Sequence, residues 1–360
     1  MKFLIIKTEA LGDVLRTTSI LSGLKKRYPG SHITWLTAPN AIDLILHHPL
    51  INKILTVDIK NTKSVEQVFC TLNLTSWDQI FSFEENNYLG RIVNKLIRNK
   101  RNDPILYGVY CDYNDRLRYT TNSSKWFDMS LISKYSINKA NQLKNENTQS
   151  YNEIFAKMIG IEKGKPELFI PETEIRKAHS FYNDNNLEAF QPIIGLNTSA
   201  GNRWKSKRLS EECTAGLAHK LRINLNNVLF LLLGGKSEEN YNKRIKSLLK
   251  NDVDFVDSGV HRPLLEFAAI IQLLDLLIVS DTLALHIAIA LDVPVVSFFS
   301  PTSANEIELY GNGEKVISHS NDYCSYRPNT DNSSITPERL VEASYNVLRY
   351  QPKDTMINLN

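Results

Sequence analysis

The sequence predicts an α/β protein built from two doubly wound, parallel-sheet domains. Three observations carry this. Short β-rich apolar runs alternate with segments of helical period from the first residues onward. The alternation stops in a polar stretch and starts afresh near residue 190. A chain of 360 residues has room for two cores.

In the first series the expected strands are KFLIIK (2–7), HITWLT (32–37), KILTV (53–57) and DQIFSF (78–83). Between the first two, Leu15, Ile20, Leu21 and Leu24 recur at roughly helical spacing, which predicts one helix over 14–28, closed by Pro29-Gly30. Residues 110–150 are rich in Asn, Ser and Lys and read as a polar insertion with mobile parts. The second series has strands at 192–197, 227–233, 275–280 and 294–299, separated by helical stretches near 209–223, 237–250, 264–274 and 282–292. A last helix over 336–349 follows the cap SSITPE. The expected domains are 1–185, 186–335, and a C-terminal helix and tail over 336–360.

Bulk properties exclude several classes. Hydrophobic residues make up 42% and charged residues 22%, ordinary for a globular chain, and a net charge of +3 creates no demand for nucleic acid. Cys70, Cys111, Cys213 and Cys324 are scattered, without a CxxC pair, so neither a zinc site nor a disulfide framework is expected. The first apolar run ends at Lys7, too early for a signal-peptide core, and no apolar run is long enough to span a bilayer. A cytoplasmic protein is the expectation.

Ligands of doubly wound sheets bind beyond the carboxyl ends of the strands, which directs attention to the loops after Lys7, Asn197, Leu233 and Ser280. In IVSDTLALHIAIAL (278–291) a strand ends at Ser280 and a helix follows with His286 in its first turns. Either Ser280 or Asp281 can cap that helix, leaving amides near Thr282 and Leu283 open to an anion. This is a diphosphate cradle, or simply a capped helix with a satisfied histidine. NTSAGNRWKSKRLSEE (197–212) carries Arg203, Lys205, Lys207 and Arg208, cations able to balance a leaving phosphate or merely to solvate a loop. In LLLGGKSEEN (231–240) the glycines permit close backbone approach and Glu238 can accept from ribose hydroxyls, or simply sit at a strand-to-helix turn.

The loop TEALGD (8–13) places Asp13 just past Gly12 at a helix start, where a carboxylate repels phosphate. Asp13 caps that helix or faces something other than phosphate. Glu9 is the second acid of the loop. The loop lacks the GxGxxG glycines of a dinucleotide-binding dehydrogenase.

Taken together, Gly12-Asp13 after the first strand, KRLS (207–210) in the middle and DTLALHIAIALDVP (281–294) followed by FFSPTS (298–303) resemble glycosyltransferase family 9, the bacterial heptosyltransferases. The resemblance covers nearly the whole chain. It implies a GT-B fold, two Rossmann-like domains facing a central cleft, and inverting transfer of a heptose from ADP-heptose to a lipopolysaccharide-core or other cell-surface glycan, without cofactor or obligatory metal. By matched position, Asp13 is the base, with Gly12 and Glu9 on the acceptor side. Lys207 faces the diphosphate, Glu238 the ribose, and Asp281, Thr282, Leu283 and His286 line the diphosphate site; Arg203 of the basic loop is a further nucleotide-sugar-binding candidate. The chain departs from the family at Leu283, where the family has glycine, at Leu209 in place of tryptophan, and at Ser300 in place of the GPT glycine. Two other readings stand beside this one: a nucleotide-sugar epimerase of the same fold, and a nucleotide-sugar-binding protein without turnover.

Two signals remain. DVD (252–254) matches the DxD of metal-dependent glycosyltransferases but follows a helix end, away from the ligand-binding edge, and is read as a turn with no metal. GRIVNKLIRNKR (90–101) sets Arg91, Lys95, Arg98, Lys100 and Arg101 around an apolar stripe. It is a solvated helix packing on the sheet, or a face for an anionic acceptor or lipid headgroups that would hold the protein at the cytoplasmic face of the inner membrane. His47, His48 and His261 have no partner at ligand spacing and are read as ordinary polar positions.

Overall fold

The computed structural model describes residues 1–99, 103–201, 204–249 and 252–349. The chain divides into two compact units, Met1–Phe169 with Asn305–Glu308, and Ile170–Ala304 with the chain from Leu309 onward.

The first unit runs β1 (Lys2–Ile6), α1 (Leu11–Thr17), α2 (Ile20–Arg27), β2 (His32–Thr37), β3 (Lys53–Thr56), α3 (Thr62–Asn73), β4 (Gln79–Ser82), α4 (Asn87–Ile97), β5 (Ile105–Cys111), β6 (Leu117–Tyr119), α5 (Ser124–Phe127), α6 (Ile137–Glu146) and α7 (Tyr151–Ile159). Its sheet has the order β3-β2-β1-β4-β5-β6, parallel throughout except for the β5–β6 hairpin edge. Residues 3–6 read as a continuous apolar run because the strand is covered on both faces. Leu4 and Ile6 enter a core with Ile80, Leu89 and Val93, while Phe3 packs edge-on against Tyr28 and Phe81 on the opposite side.

The second unit runs α8 (Glu172–Asp184), β7 (Ile193–Asn197), α9 (Glu211–Asn224), β8 (Leu229–Leu232), α10 (Glu239–Leu249), β9 (Phe255–Asp257), α11 (Leu264–Ile271), β10 (Leu276–Ser280), α12 (Leu283–Ala290), β11 (Val295–Phe299), β12 (Gly313–Ile317) and α13 (Pro337–Arg349). Its order is β12-β11-β10-β7-β8-β9, every pair parallel. Counted from the first strand of each unit, both sheets have the 3-2-1-4-5-6 order of a Rossmann sheet. Each therefore has one switch point where ligands bind: between β1 and β4, and between β7 and β10.

Three details differ from the sequence expectations. The helix expected over 14–28 is two helices, broken at Thr18-Ser19. There the Thr17 and Thr18 hydroxyls donate to the carbonyls of Asp13 and Leu15, Ser19 N–H bonds three residues back to Arg16, and Thr18 Oγ1 accepts from Glu167 N. Such side-chain competition for backbone groups interrupts helices. Helix α8, expected in the first domain, belongs to the second unit, where Arg262 lies over the Phe181 ring at 4.7 Å. Helix α13 is no appendage, since Leu340, Ala343 and Val347 are part of the second unit's core. The polar stretch 110–150 holds β6, α5 and α6. Among the described residues, no helix is long and apolar enough to cross a membrane.

Candidate functional site

In the second unit, the chain leaves β10 at Ser280 and enters α12 through Asp281 and Thr282. Thr282 is the N-cap residue, yet its side chain makes no capping bond; its hydroxyl lies 3.4 Å from Asn197 Oδ1 at the end of β7. Among the described residues no backbone bond outside the helices uses the Leu283 or Ala284 N–H, as the first turn of a helix requires. Those two amides, at the positive end of the helix dipole, are available to an anion. Leu283 supplies its amide as a glycine would. Asp281 does not cap. Its carboxylate turns to Lys207, whose Nζ donates to Asp281 Oδ2 and to the Asp281 carbonyl, each at 2.8 Å, and His286 Nε2 stands 3.7 Å from Oδ1. Burial opposes the charge on Asp281, but Lys207 and His286 outweigh it and hold the carboxyl well below the usual range. An ammonium has three donors; two of those on Lys207 go to Asp281. Among the described residues nothing else accepts from it, which leaves the third for a ligand. Asp281 thus tethers the lysine to the end of α12, which is positioning rather than contact with a like-charged diphosphate.

The loop that carries Lys207 is itself fixed. Asn332 Nδ2 donates to the carbonyls of Ser206 and Arg208, and Thr330 Oγ1 donates to Ser206 Oγ. Leu209, where the family has tryptophan, is buried in the core of the unit, and its N–H bonds to Thr198 O. Arg203 lies outside the described residues.

Glu238 is nearly fully buried and stitches two loops together. It accepts from Gly235 N at 2.8 Å, Gly201 N at 3.0 Å and Ser237 Oγ at 2.6 Å. Gly234 makes this possible, because a Cβ there would meet Glu238 Cβ at 2.8 Å. The structure therefore shows Glu238 as an organiser of the loops after β7 and β8.

In the first unit, the loop after β1 is clamped by a residue the sequence reading did not single out. Glu84, buried just past β4, accepts from Thr8 N (2.7 Å), Glu9 N (2.8 Å), Thr8 Oγ1 (3.0 Å) and Lys7 Nζ (3.2 Å). The strand-end rule that selected Lys7 applies equally to the end of β4 and was the signal for Glu84. Ala10 then takes φ +57°, and α1 begins at Leu11 with no side-chain cap. Asp13 sits in the first turn of α1 without capping it. Its carboxylate is paired with Arg16 NH2 at 3.1 Å and lies 3.9 Å from Lys7 Nζ, with about a third of the side chain exposed. Gly12 lies in the same turn, and Glu9 contributes its backbone N–H to Glu84. Next to Glu84, burial pushes the Glu85 carboxyl up, against a hydrogen bond with Ser130 and the charge of Lys7.

The remaining signals resolve structurally. Ile92, Val93 and Leu96 of α4 are buried in the sheet core. On the same helix Arg91 pairs with Asp115 at 2.9 Å, Arg98 stacks on Tyr113 at 3.6 Å and Lys95 lies over Phe69. Lys100 and Arg101 fall outside the described residues. DVD precedes the edge strand β9, and no group of three His, Cys, Asp or Glu able to hold a metal occurs among the described residues. His48 is buried against Phe169, its rings 5.0 Å apart, with Nε2 3.5 Å from Glu167, and burial lowers its pKa to about 4.

Comparison with known proteins agrees with this architecture. A glycosyltransferase family 9 structure from Veillonella parvula superposes with a TM-score of 0.76 at 19% identity, covering 97% of this chain and 98% of that one. The E. coli heptosyltransferase WaaC with ADP gives 0.58 at 16% identity over 97% and 99%. Both likenesses show the fold, which is that of GT-B glycosyltransferases. A lipopolysaccharide heptosyltransferase 1 of Campylobacter coli is 20% identical over 327 residues, 88% of this chain and 89% of the relative. The model of glycosyltransferase family 9 (heptosyltransferase) matches residues 123–334, more than half of the chain, and the chain belongs to that family.

Proposed function

We propose that the protein is an inverting glycosyltransferase that moves a heptose from ADP-heptose to a lipopolysaccharide-core glycan acceptor, without a metal. The observation that carries this reading is the tether of Lys207 to the first turn of α12. In a family 9 chain it supplies a fixed cation and open helix amides where a departing diphosphate gains charge. Such preorganised donors are a main source of rate enhancement, and they fill the role a divalent ion plays elsewhere.

On this reading Asp13 accepts the proton of the acceptor hydroxyl as that oxygen forms its bond to the anomeric carbon. The bond from that carbon to the diphosphate breaks, and ADP leaves towards Lys207 and the amides of Leu283 and Ala284. No second carboxylate nucleophile is needed. Glu238 contributes by ordering the loops that would hold the ribose, with Arg203 a further candidate diphosphate contact and His286 a support of Asp281. A nucleotide of the ADP type is supported by the similar E. coli structure with ADP, and a glycan of lipopolysaccharide by the Campylobacter relative. On this reading the transfer takes place in the cytoplasm, at the inner face of the inner membrane.

Calorimetry of the protein against ADP, UDP and GDP in EDTA tests the donor side. Selective ADP binding that survives EDTA is expected. Preference for UDP or GDP, or a requirement for metal, would overturn the donor assignment, and binding without any transfer to a panel of core glycans would leave a nucleotide-sugar-binding protein.

A further inference from the structure

The Asp13 carboxylate is not held by its helix alone. Arg16 NH2 reaches it at 3.1 Å from one turn further along α1. The Arg16 guanidinium is held in turn from two other elements: it lies over the Tyr151 ring at 4.0 Å and near the Trp126 ring at 5.5 Å. Tyr151 opens α7 and Trp126 lies on α5, and the two rings meet edge to face at 5.0 Å. Phe155 stacks behind Tyr151 at 3.9 Å. The Tyr151 hydroxyl, 2.7 Å from Thr17 Oγ1, continues to the Asp13 carbonyl through the 2.6 Å bond that Thr17 donates. Tyr151 therefore addresses Asp13 twice, through Arg16 and through the backbone. A guanidinium stacked on aromatic faces loses rotamer freedom and keeps its charge poorly hydrated, which strengthens its pull on the carboxylate.

We propose that Tyr151 and Trp126 are positioning residues that fix Arg16, and through it the direction and charge of the Asp13 carboxylate. The proposal rests on the reading of Asp13 as base, because only then does its direction set a rate. Other charges near Asp13 are Lys7, with Glu84 and Glu85 around that lysine, and the ionisable Tyr151 hydroxyl. The 3-10 helix over Pro39–Leu44, which packs on α1, contributes Asp43.

The experiment is an NMR titration of the full-length protein labelled with 13Cγ aspartate, with Asp13 assigned by Asp13→Asn. Removing a cation raises a carboxyl pKa, so the Asp13 midpoint is expected to move up in Arg16→Gln. It should move part of that way in Trp126→Leu and in Tyr151→Leu, and stay near wild type in Tyr151→Phe, which keeps the ring. Should Tyr151→Leu not fold, as judged by its melting curve, Trp126→Leu at the margin of the stack carries the test. A wild-type midpoint in the leucine variants would overturn the proposal, as would a Tyr151→Phe shift as large as that of Tyr151→Leu.

The kinetic companion uses ADP-heptose and lipopolysaccharide core lacking heptose. Trp126→Leu should lower kcat about tenfold, by misplacing a base worth roughly 10²–10⁴-fold, with KM for ADP-heptose unchanged. If Asp13→Asn transfers as fast as wild type, the base assignment itself fails. The titration still reports the Arg16 stack, so the two failures are separable.

Discussion

The ends of β1 and β10 each border the switch point of their own sheet, yet they are built with opposite polarity. After β1 a carboxylate, Asp13, is the exposed group, held by the cations Arg16 and Lys7. At the end of β10 the group is a cation, Lys207, brought from the loop after β7 and held by the carboxylate Asp281. Each unit pairs the group it offers with a counter-ion of its own. A strand order fixes where a ligand edge lies; the two or three side chains at that edge decide what it binds. On the proposed reading the second receives the diphosphate, which the first repels, and the first receives a hydroxyl that must lose a proton.

The most severe way to break this asymmetry is Asp13→Asn. Transfer should fall by roughly 10²–10⁴-fold, the worth of a positioned base, while ADP affinity stays at the wild-type value by calorimetry. Loss of ADP binding in that variant would mean that the two edges are not separate in role. Next in size is Lys207→Ala. It removes a charged donor worth about 1.5–3 kcal/mol, so ADP should bind about 10- to 100-fold more weakly, and Asp281, left without its main partner, should lower Tm as well.

Asp281→Asn sharpens the comparison through pH. Burial disfavours the Asp281 charge, but Lys207 and His286 more than reverse this, so its folded pKa is depressed. A depressed carboxyl adds stability above its unfolded value of about 4 and loses it as pH falls through the folded value. Thermal melts should therefore separate wild type from Asp281→Asn at pH 7, by about 3 kcal/mol for a broken buried pair, and converge in strong acid. A constant gap at every pH would show that the pair is not the source. The smallest effect is expected from Tyr241→Phe. This hydroxyl, its pKa pushed up to about 12 by burial, joins Thr198, Thr214 and the Leu209 carbonyl beneath the Lys207 loop. Denaturant melts should show a cost of about 1–2 kcal/mol, with ADP affinity within a fewfold of wild type.

The central strands were legible in the sequence because burial on both faces leaves uninterrupted apolar runs, as in 3–6, 229–232 and 276–279. Of the edge strands, β3 was legible as KILTV, but β6, β9 and β12 were not. GEKVI of β12 and FVD of β9 are short and part polar because one side of an edge strand meets no partner, and β5 is interrupted by Gly108 at φ +102°. At the candidate site, local signals such as Gly12-Asp13 and the α12 start could be read from neighbouring residues. The partners that give those groups their charge environment could not. Glu84 lies 76 residues from Thr8, Tyr151 lies 134 from Thr17, and Lys207 lies 74 from Asp281. Chain folding alone brings them together. Local reading also mistook the part played by Asp281: a carboxylate before a helix looks like a cap, and only the position of Lys207 shows that it faces a lysine instead.

The most direct test of the account is the anomeric configuration of the first product formed from ADP-heptose and heptose-free lipopolysaccharide core, read by proton NMR before any equilibration. A single carboxylate base with no covalent intermediate predicts configuration opposite to that of the donor. Retained configuration would require a second displacement, and would contradict the assignment of Asp13 as the base of a one-step transfer.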